Sequence, residues 1–90
     1  MKTMADRTVL VTGAAKRLGR EIALYFAREG WNVIIHYGQS AQEAQAVVDE
    51  IQSNGGLAIA VKADVTLAEE VNHLFTETVQ TFGGLHALVN

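Results

Sequence analysis

The sequence predicts an α/β fold in which helices cover a parallel four-stranded sheet. Four short apolar segments alternate with three segments whose apolar residues recur every three to four positions. The strand segments are apolar enough to be covered on both faces, which is typical of parallel strands. The order β-α-β-α-β-α-β indicates parallel strands joined by right-handed crossovers, and the strand order 3-2-1-4 of a doubly wound sheet is expected.

The first half of this pattern consists of two strands and the helix between them. Residues 8–12 and 32–36 are rich in β-branched and apolar side chains, and they predict the strands. The first helix is predicted to end at Gly30. Its helical spacing is shared by Leu18, Ile22, Ala23, Tyr25 and Phe26.

Capping boxes indicate where the second and third helices begin. Ser40 with Glu43 and Thr66 with Glu69 have the spacing at which the two side chains satisfy free N–H groups reciprocally. Glycine pairs end both helices, and the third and fourth strands are predicted over residues 57–61 and 85–90. The apolar stripes are Ala44, Val47, Val48 and Ile51 in the second helix, and Val71, Leu74, Phe75, Val79 and Phe82 in the third.

Composition indicates one small soluble, cytoplasmic domain over residues 1–90. Of the 90 residues, 49% are apolar and 19% charged, and no apolar run reaches the length of a bilayer span. The first seven residues are too polar for a signal peptide. The formal charge of −3 argues against general nucleic-acid binding.

Aromatic side chains and histidines are interpreted first as structural. Packing is expected for Tyr25, Phe26, Trp31, Phe75 and Phe82. His73 is expected to be exposed, and His86 to be hydrogen-bonded or half exposed. No metal site is expected, because cysteine is absent and no two histidines have the spacing of metal ligands.

A glycine-bearing loop between the first strand and the first helix predicts an anion site. Residues 9–20 read Val-Leu-Val-Thr-Gly-Ala-Ala-Lys-Arg-Leu-Gly-Arg. Free backbone N–H groups and the helix dipole favour phosphate at such a turn. Lys16, Arg17 and Arg20 are three of only seven Lys and Arg residues in the chain. Because cations at a helix N-terminus oppose the dipole, an anionic partner is favoured over a solvated helix start.

Further polar features are expected to converge with this loop on one rim of the sheet. Ligands of open α/β sheets bind beyond the carboxyl ends of the strands, where the strand order reverses. The segment 36–40 follows the second strand, Asp64 and Val65 follow the third, and Asn90 ends the fourth. A Rossmann-type sheet therefore predicts a nucleotide site between its first and fourth strands.

These residues resemble the short-chain dehydrogenase/reductase family. The segment from Thr12 to Gly19 matches that family's Thr-Gly-x-x-x-Gly-x-Gly except at Arg17. Asp64 and Val65 resemble its Asp-Val pair, which contacts adenine, and residues 88–90 resemble the start of its Asn-Asn-Ala-Gly segment. The cofactor-binding residues implied by the resemblance are Gly13, Lys16, Arg17, Leu18, Gly19, His36, Tyr37, Ser40, Asp64, Val65 and Asn90.

Within this family the loop is most similar to the pteridine-reductase branch. In that branch an arginine also replaces the glycine at the position of Arg17, and His36, Tyr37 and Ser40 add to the likeness. The resemblance implies that Arg17 reaches the cofactor phosphates and the mouth of the substrate site. A guanidinium fork suits that geometry better than an ammonium group does.

The residues after the second strand favour NADP(H) over NAD(H). Enzymes that select NAD place an Asp or Glu about 20 residues past the glycine loop, where it binds the ribose 2′-hydroxyl. Residues 36–40 contain no acidic side chain, whereas Ser40 and the nearby cations suit a 2′-phosphate. The alternative for Ser40 is that it only caps its helix.

The residues that would carry the family's chemistry are not found in these 90 residues. The family uses a Ser and a Tyr-x-x-x-Lys pair, but Tyr25 is followed at the fourth place by Glu29, and Tyr37 by Ala41. The resemblance implies that the catalytic residues follow Asn90. The chain is therefore expected to be the cofactor-binding half of an oxidoreductase that transfers hydride to a carbonyl or pterin-like substrate.

Two alternatives and two further expectations follow. The alternatives are a short dinucleotide-binding module without chemistry and, less favoured, a flavodoxin-like mononucleotide domain. By itself the chain is not expected to catalyse hydride transfer. It is expected to self-associate or to be marginally stable, because its fourth strand has an apolar outer edge and one sheet face is thinly covered.

Overall fold

Four parallel strands and three helices form the part of the chain that the computed structural model describes, residues 7–90. The strands are β1 (Thr8–Val11), β2 (Asn32–Tyr37), β3 (Ala58–Lys62) and β4 (Ala87–Val89). The helices are α1 (Arg17–Arg28), α2 (Ala41–Ser53) and α3 (Ala68–Phe82). The strand order is β3-β2-β1-β4, and every neighbouring pair is parallel. The predicted fold class and strand order are confirmed.

The two faces of the sheet are covered to different extents. Val9, Val11, Val33 and Ile35 belong to a cluster of thirteen buried residues that also includes the inner faces of α1 and α2. On the other face the cluster around Leu74 of α3 contains five buried residues. This asymmetry follows from the topology, because two helices cover one face and a single helix covers the other.

The apolar stripes of α2 and α3 differ for the same reason. Ala44, Val47, Val48 and Ile51 of α2 are all buried, as predicted. In α3 only Leu74 of the predicted stripe is buried, Val71 and Phe82 are half-buried, and Phe75 and Val79 are exposed. No second helix lies beside α3 within residues 7–90, so the side of its stripe away from the sheet stays open to solvent.

Packing was predicted for five aromatic residues, and the structure supports it for three of them. Phe26 and Trp31 are half-buried and meet edge to face with 5.1 Å between ring centroids, and Phe82 is half-buried against the α3-side cluster. The prediction is wrong for Tyr25, which is 53% exposed, and for Phe75. Both have helical spacing, but they lie at the edge of their stripes.

The predicted capping boxes are also corrected. Ser40 is the N-cap residue of α2, yet its hydroxyl makes no capping hydrogen bond within residues 7–90. Helix α3 begins one residue later than Thr66 at the N-cap would require, since Leu67 is its N-cap residue. Thr66 bonds instead to Asp64, whose Oδ1 accepts from the Thr66 N–H at 2.9 Å and from its hydroxyl at 2.6 Å. Thr66 lies one residue before the N-cap position, and its hydroxyl makes a local side-chain hydrogen bond in place of a capping bond.

Candidate functional site

The loop between β1 and α1 requires glycine at two positions for different reasons. Gly13 has φ +61°, in the left-handed region that side chains with a Cβ rarely adopt. Gly19 has an ordinary φ, but a Cβ built on it would lie 2.3 Å from the Gly13 carbonyl oxygen. The first turn of α1 therefore packs directly on the loop backbone, while Ala14 and Ala15 are buried beneath it.

Arg17 is held in the same left-handed region, with φ +56°. It is the one residue other than glycine with a positive φ within residues 7–90. This conformation costs a residue with a Cβ about 1–2 kcal/mol. Such strain concentrates at ligand-binding sites. The backbone geometry also explains why glycine is typical at this position of the family motif.

Two of the three cations near the loop are available to a ligand. Lys16 and Arg17 are exposed, and neither lies within salt-bridge distance of a carboxylate in the described part of the chain. Arg20, in contrast, binds Glu21 at 3.1 Å and also contacts Glu50 of α2. The positive charge that the sequence places at this helix start is therefore reduced to two free side chains.

His36 connects the glycine loop to the end of β3. The side chain is buried, and its Nδ1 accepts a hydrogen bond from the Gly13 N–H at 3.1 Å. Its Nε2 lies 2.8 Å from the Ala63 carbonyl oxygen. A carbonyl oxygen can only accept, so Nε2 carries the proton and Nδ1 provides a lone pair. The Ala14 N–H donates to the His36 carbonyl oxygen at 3.0 Å, which adds a second tie between loop and strand.

Two adjoining clefts lie over the carboxyl ends of the strands. The larger has a volume of about 520 Å³, and the smaller about 120 Å³. The larger is lined by His36, Gly38, Gln39, Lys62, Ala63, Asp64, Val65 and Glu70, and the smaller by Gly13, Ala15, Lys16, Tyr37, Gly38 and Ser40. Gly38 is common to both, so residues predicted from three separate loops meet on one concave rim.

Asp64 has a defined environment on this rim although it is fully exposed. The Thr66 hydroxyl, and secondarily the Thr66 backbone N–H, lower the pKa of the Asp64 carboxyl because both hydrogen bonds favour its ionised form. The Asp64 N–H donates in turn to Glu70 Oε1 at 2.7 Å. These bonds fix the turn that presents Asp64 and Val65 to the larger cleft.

Asn90 is tied to the end of β1 through Thr12, a residue that the predicted site omits. The Thr12 hydroxyl lies 3.0 Å from Asn90 Oδ1 and 3.2 Å from the Val89 carbonyl oxygen. The Thr12 N–H donates to the same carbonyl at 2.9 Å. Thr12 thereby joins β1 to β4 where the strand order reverses. A hydroxyl at the end of a predicted strand, directly before the glycine loop, is the signal that could have identified it.

Other predicted features are placed as follows. Leu18 is 72% exposed and Val65 is 53% exposed, so both present apolar surface at the rim. His73 is exposed, and His86 Nδ1 accepts from the Thr8 N–H at 3.1 Å, as the sequence predicts.

Within residues 7–90 no three His, Asp or Glu side chains are grouped as metal ligands. No helix in that range is both long and apolar enough to cross a bilayer.

The family of the chain is shown by comparison with known proteins. The family model described as short chain dehydrogenase matches residues 7–90. The chain belongs to this family. Its members are oxidoreductases that bind nicotinamide dinucleotide cofactors and small-molecule substrates.

Relatives of this chain include proteins described as reductases. It is 43% identical over 89 residues to hydroxynaphthalene reductase-like protein Arp2 of Metarhizium anisopliae, covering 99% of this chain and 33% of that protein. It is 45% identical over 84 residues to 3-oxoacyl-(acyl-carrier-protein) reductase FabG of Staphylococcus aureus, covering 93% of this chain and 34% of that protein. The chain thus spans about a third of the length of these relatives.

Solved structures of the family have the same fold. A dehydrogenase/reductase from Sinorhizobium meliloti superposes with a TM-score of 0.92 at 43% identity, over 98% of this chain and 35% of that one. A hydroxysteroid dehydrogenase from Escherichia coli superposes with a TM-score of 0.89 at 36% identity, over 97% and 37% of the two chains.

Proposed function

We propose that residues 1–90 form the NADP(H)-binding part of a short-chain oxidoreductase that transfers hydride to a carbonyl or pterin-like substrate. The observation that carries this proposal is the loop from Gly13 to Gly19. Its left-handed glycine, its close contact with α1 and two cations that form no ion pair within residues 7–90 together make a surface suited to phosphate. A bound nicotinamide dinucleotide would supply the hydride, and this chain would bind and orient the dinucleotide.

The N–H groups at the loop indicate where phosphate would bind. Those of Gly13 and Ala14 already donate to His36, through its ring and its carbonyl oxygen respectively. The N–H groups of the first three residues of α1, residues 17–19, have no acceptor within the helix. We infer that this first turn and the side chains of Lys16 and Arg17 hold the pyrophosphate.

The surroundings of Ser40 support a preference for NADP(H). Lys16, Tyr37 and Ser40 line the smaller cleft, and among residues 7–90 no Asp or Glu side chain lines it. Because the Ser40 hydroxyl makes no capping bond within the described residues, it is available to donate to a phosphate oxygen. The N-terminus of α2 adds a favourable dipole at the same place. A 2′-phosphate would meet a hydroxyl and a cation there, without a repelling carboxylate.

The remaining predicted residues fit the rest of a dinucleotide. Asp64 and Val65 border the larger cleft, where half-exposed apolar surface beside a hydrogen-bonding carboxylate suits an adenine ring. Asn90 lies at the switch point between β1 and β4. Leu18 extends the apolar surface at the start of α1.

The substrate class is proposed from Arg17 and from the relatives. Arginine in place of the family glycine is the feature shared with the pteridine-reductase-like branch, and the exposed guanidinium could contact both phosphate and substrate. The names of the relatives describe reductases. We place the catalytic Ser and the Tyr-x-x-x-Lys pair outside these 90 residues, in a cytoplasmic homo-oligomeric protein. The absence of cysteine is compatible with that compartment.

The cofactor assignment is tested by titrating the chain with NADPH, NADH and FMN. We expect NADPH to bind at least about tenfold more tightly than NADH, because the 2′-phosphate adds charge-assisted hydrogen bonds. Ser40→Asp should remove or reverse this preference by repulsion, and Arg17→Ala should weaken NADPH binding.

The matched control is Ser53→Asp, which places the same carboxylate at the opposite end of α2 and should leave the preference unchanged. Retention of the NADPH preference in both Ser40→Asp and Arg17→Ala would contradict the assignment. Tight binding of FMN with no binding of either dinucleotide would favour a mononucleotide domain instead.

A further inference from the structure

His36 is a buried titratable group that directly supports the dinucleotide loop. It is 6% exposed, and its two ring nitrogens contact two different loops of the rim. Nδ1 accepts from the Gly13 N–H, and Nε2 donates to the Ala63 carbonyl oxygen, one residue before Asp64. One imidazole therefore connects the segment proposed to hold phosphate with the segment proposed to hold adenine.

This arrangement requires a neutral ring. A protonated imidazole has a hydrogen on both nitrogens and no acceptor. Protonation would leave the Nε2 contact with Ala63 intact but would place an N–H at Nδ1 opposite the Gly13 N–H. Two donors facing each other repel, and the Gly13 amide would lose its partner beneath the loop. Of the two contacts of the ring, only the hydrogen bond that Nδ1 accepts from Gly13 depends on pH.

We propose that His36 is a positioning residue for the dinucleotide site, holding the glycine loop in place only while its imidazole is neutral, so that proton uptake weakens dinucleotide binding. For its ligand the proposal rests on the proposed function, whereas the tie between His36 and Gly13 is a property of the chain alone.

Some charged groups around His36 favour protonation of its ring, and others oppose it. Asp64 of the β3–α3 loop and Glu70 of α3 border the same cleft and favour proton uptake by the ring. Lys62 of β3 borders it as well and opposes uptake, as does Lys16 of the glycine loop in the neighbouring cleft. Since hydrogen bonds from Thr66 lower the pKa of Asp64, this carboxylate stays ionised across the range in which a histidine titrates. A change over that range therefore does not come from Asp64.

Two variants separate the two contacts of the ring. His36→Asn places an amide oxygen near the position of Nδ1, so it can accept from Gly13 at every pH but loses the contact with Ala63. His36→Gln reaches the position of Nε2 and keeps the contact with Ala63, but it leaves the Gly13 amide without an acceptor. Each variant loses one hydrogen bond of the ring, and their effects on the loop are opposite.

The experiment measures NADPH affinity of the chain and both variants between pH 8 and pH 5.5, together with the exchange protection of the Gly13 amide without ligand. Between pH 8 and pH 5.5 we expect the NADPH affinity of the wild type to fall about tenfold more than that of His36→Asn. A tenfold change is the effect expected from the loss of one hydrogen bond. The His36→Asn series also corrects for the 2′-phosphate, which itself titrates near pH 6. His36→Gln should bind weakly at all pH values.

Measurements without ligand keep the proposal distinct from the cofactor assignment. Protection of the Gly13 amide should fall on acidification in the wild type but not in His36→Asn, and ¹⁵N spectra should show Nδ1 unprotonated at pH 8. Equal pH dependence of affinity in wild type and His36→Asn, or a proton on Nδ1 at pH 8, would overturn the role of His36. If the chain does not bind NADPH but the ligand-free measurements come out as expected, the cofactor assignment is refuted. The proposed effect of His36 on NADPH binding is then refuted with it. The neutral-ring tie to Gly13 would stand.

Discussion

Gly19 allows the first turn of α1 to lie directly on the glycine loop. Its hydrogen faces the Gly13 carbonyl oxygen, where a Cβ would be only 2.3 Å away. The obstructing atom belongs to the backbone, so a side-chain rotation cannot relieve the clash. The loop and the helix would have to separate, which would disturb the first-turn N–H groups proposed to bind phosphate.

Gly19→Ala should therefore destabilise the chain and weaken dinucleotide binding. We expect a loss of roughly 1–3 kcal/mol in the free energy of unfolding, measured by urea denaturation, as for other overpacked sites. Gly38→Ala is the matched control, since a Cβ there meets nothing within 4 Å, and its free energy of unfolding should change by less than about 0.5 kcal/mol. Equal stability of the two variants would contradict the observed contact.

Arg17 combines backbone strain with an exposed cation. Arg17→Gly should raise the free energy of unfolding by roughly 0.5 kcal/mol, because relief of the left-handed conformation outweighs the greater entropy of the unfolded glycine chain. The same substitution should weaken NADPH binding by removing a charge-assisted contact. Stability and affinity are thus expected to change in opposite directions.

Lys16→Gly provides the comparison for that experiment. Lys16 has φ −137°, which any residue adopts, so glycine there relieves no strain, and the free energy of unfolding should be lower than in Arg17→Gly. Urea denaturation of both variants measures the difference. A stability loss in Arg17→Gly equal to that in Lys16→Gly would show that the arginine backbone is unstrained.

At the level of elements, the start of α3 depends on Asp64, Thr66 and Glu70. The folded-state pKa of Asp64 lies below its ordinary value, and the hydroxyl of Thr66 is the main cause. A group with a depressed pKa stabilises the fold above its unfolded pKa, and this contribution is lost as pH falls through the folded pKa. The turn should therefore loosen in acid, below about pH 4.

Thr66→Val should raise the pKa of Asp64 towards its ordinary value. The shift should be partial, because the backbone N–H of residue 66 still donates to the carboxylate. NMR titration of the Asp64 carboxyl measures the change, and Thr76→Val, an exposed threonine within α3, is the control that should leave it unaltered. An unchanged Asp64 titration in Thr66→Val would show that the hydroxyl does not bind the carboxylate in solution.

At the level of the whole molecule, the α3 side exposes apolar surface. Leu88 of the edge strand β4 is 52% exposed, and Val79 and Phe75 of α3 are 51% and 36% exposed. Leu88 is paired in register with Leu10, so it lies on the face that α3 covers only in part. An edge strand with apolar side chains is a site of association, because its backbone groups can pair with another chain.

The 90-residue chain is therefore expected to self-associate in solution. Leu88→Lys should shift it towards monomer, because a charge on an edge strand opposes pairing. Leu18→Lys is the control, since Leu18 is more exposed but lies on a helix away from the edge, and it should not change association. Analytical ultracentrifugation measures both, and a stable wild-type monomer at high concentration would refute this expectation.

The elements, their order and the family can be predicted from the amino-acid sequence, because these depend on local information. Strand and helix periods are set by neighbouring residues, and the order of elements restricts parallel sheets to few topologies. The stripe of α2 and the glycine loop were identified in this way, and the loop together with Asp64 and Val65 was sufficient to indicate the short-chain dehydrogenases.

The contacts between these residues are visible only in the folded structure. It showed that His36 ties Gly13 to Ala63, that Arg20 is bound to Glu50 while Lys16 and Arg17 are not, and that Thr66 bonds to Asp64 rather than to its helix. It also showed that Phe75 is exposed, although its spacing predicts burial. These outcomes depend on distances between segments that are remote in the chain, and a local pattern does not contain such distances.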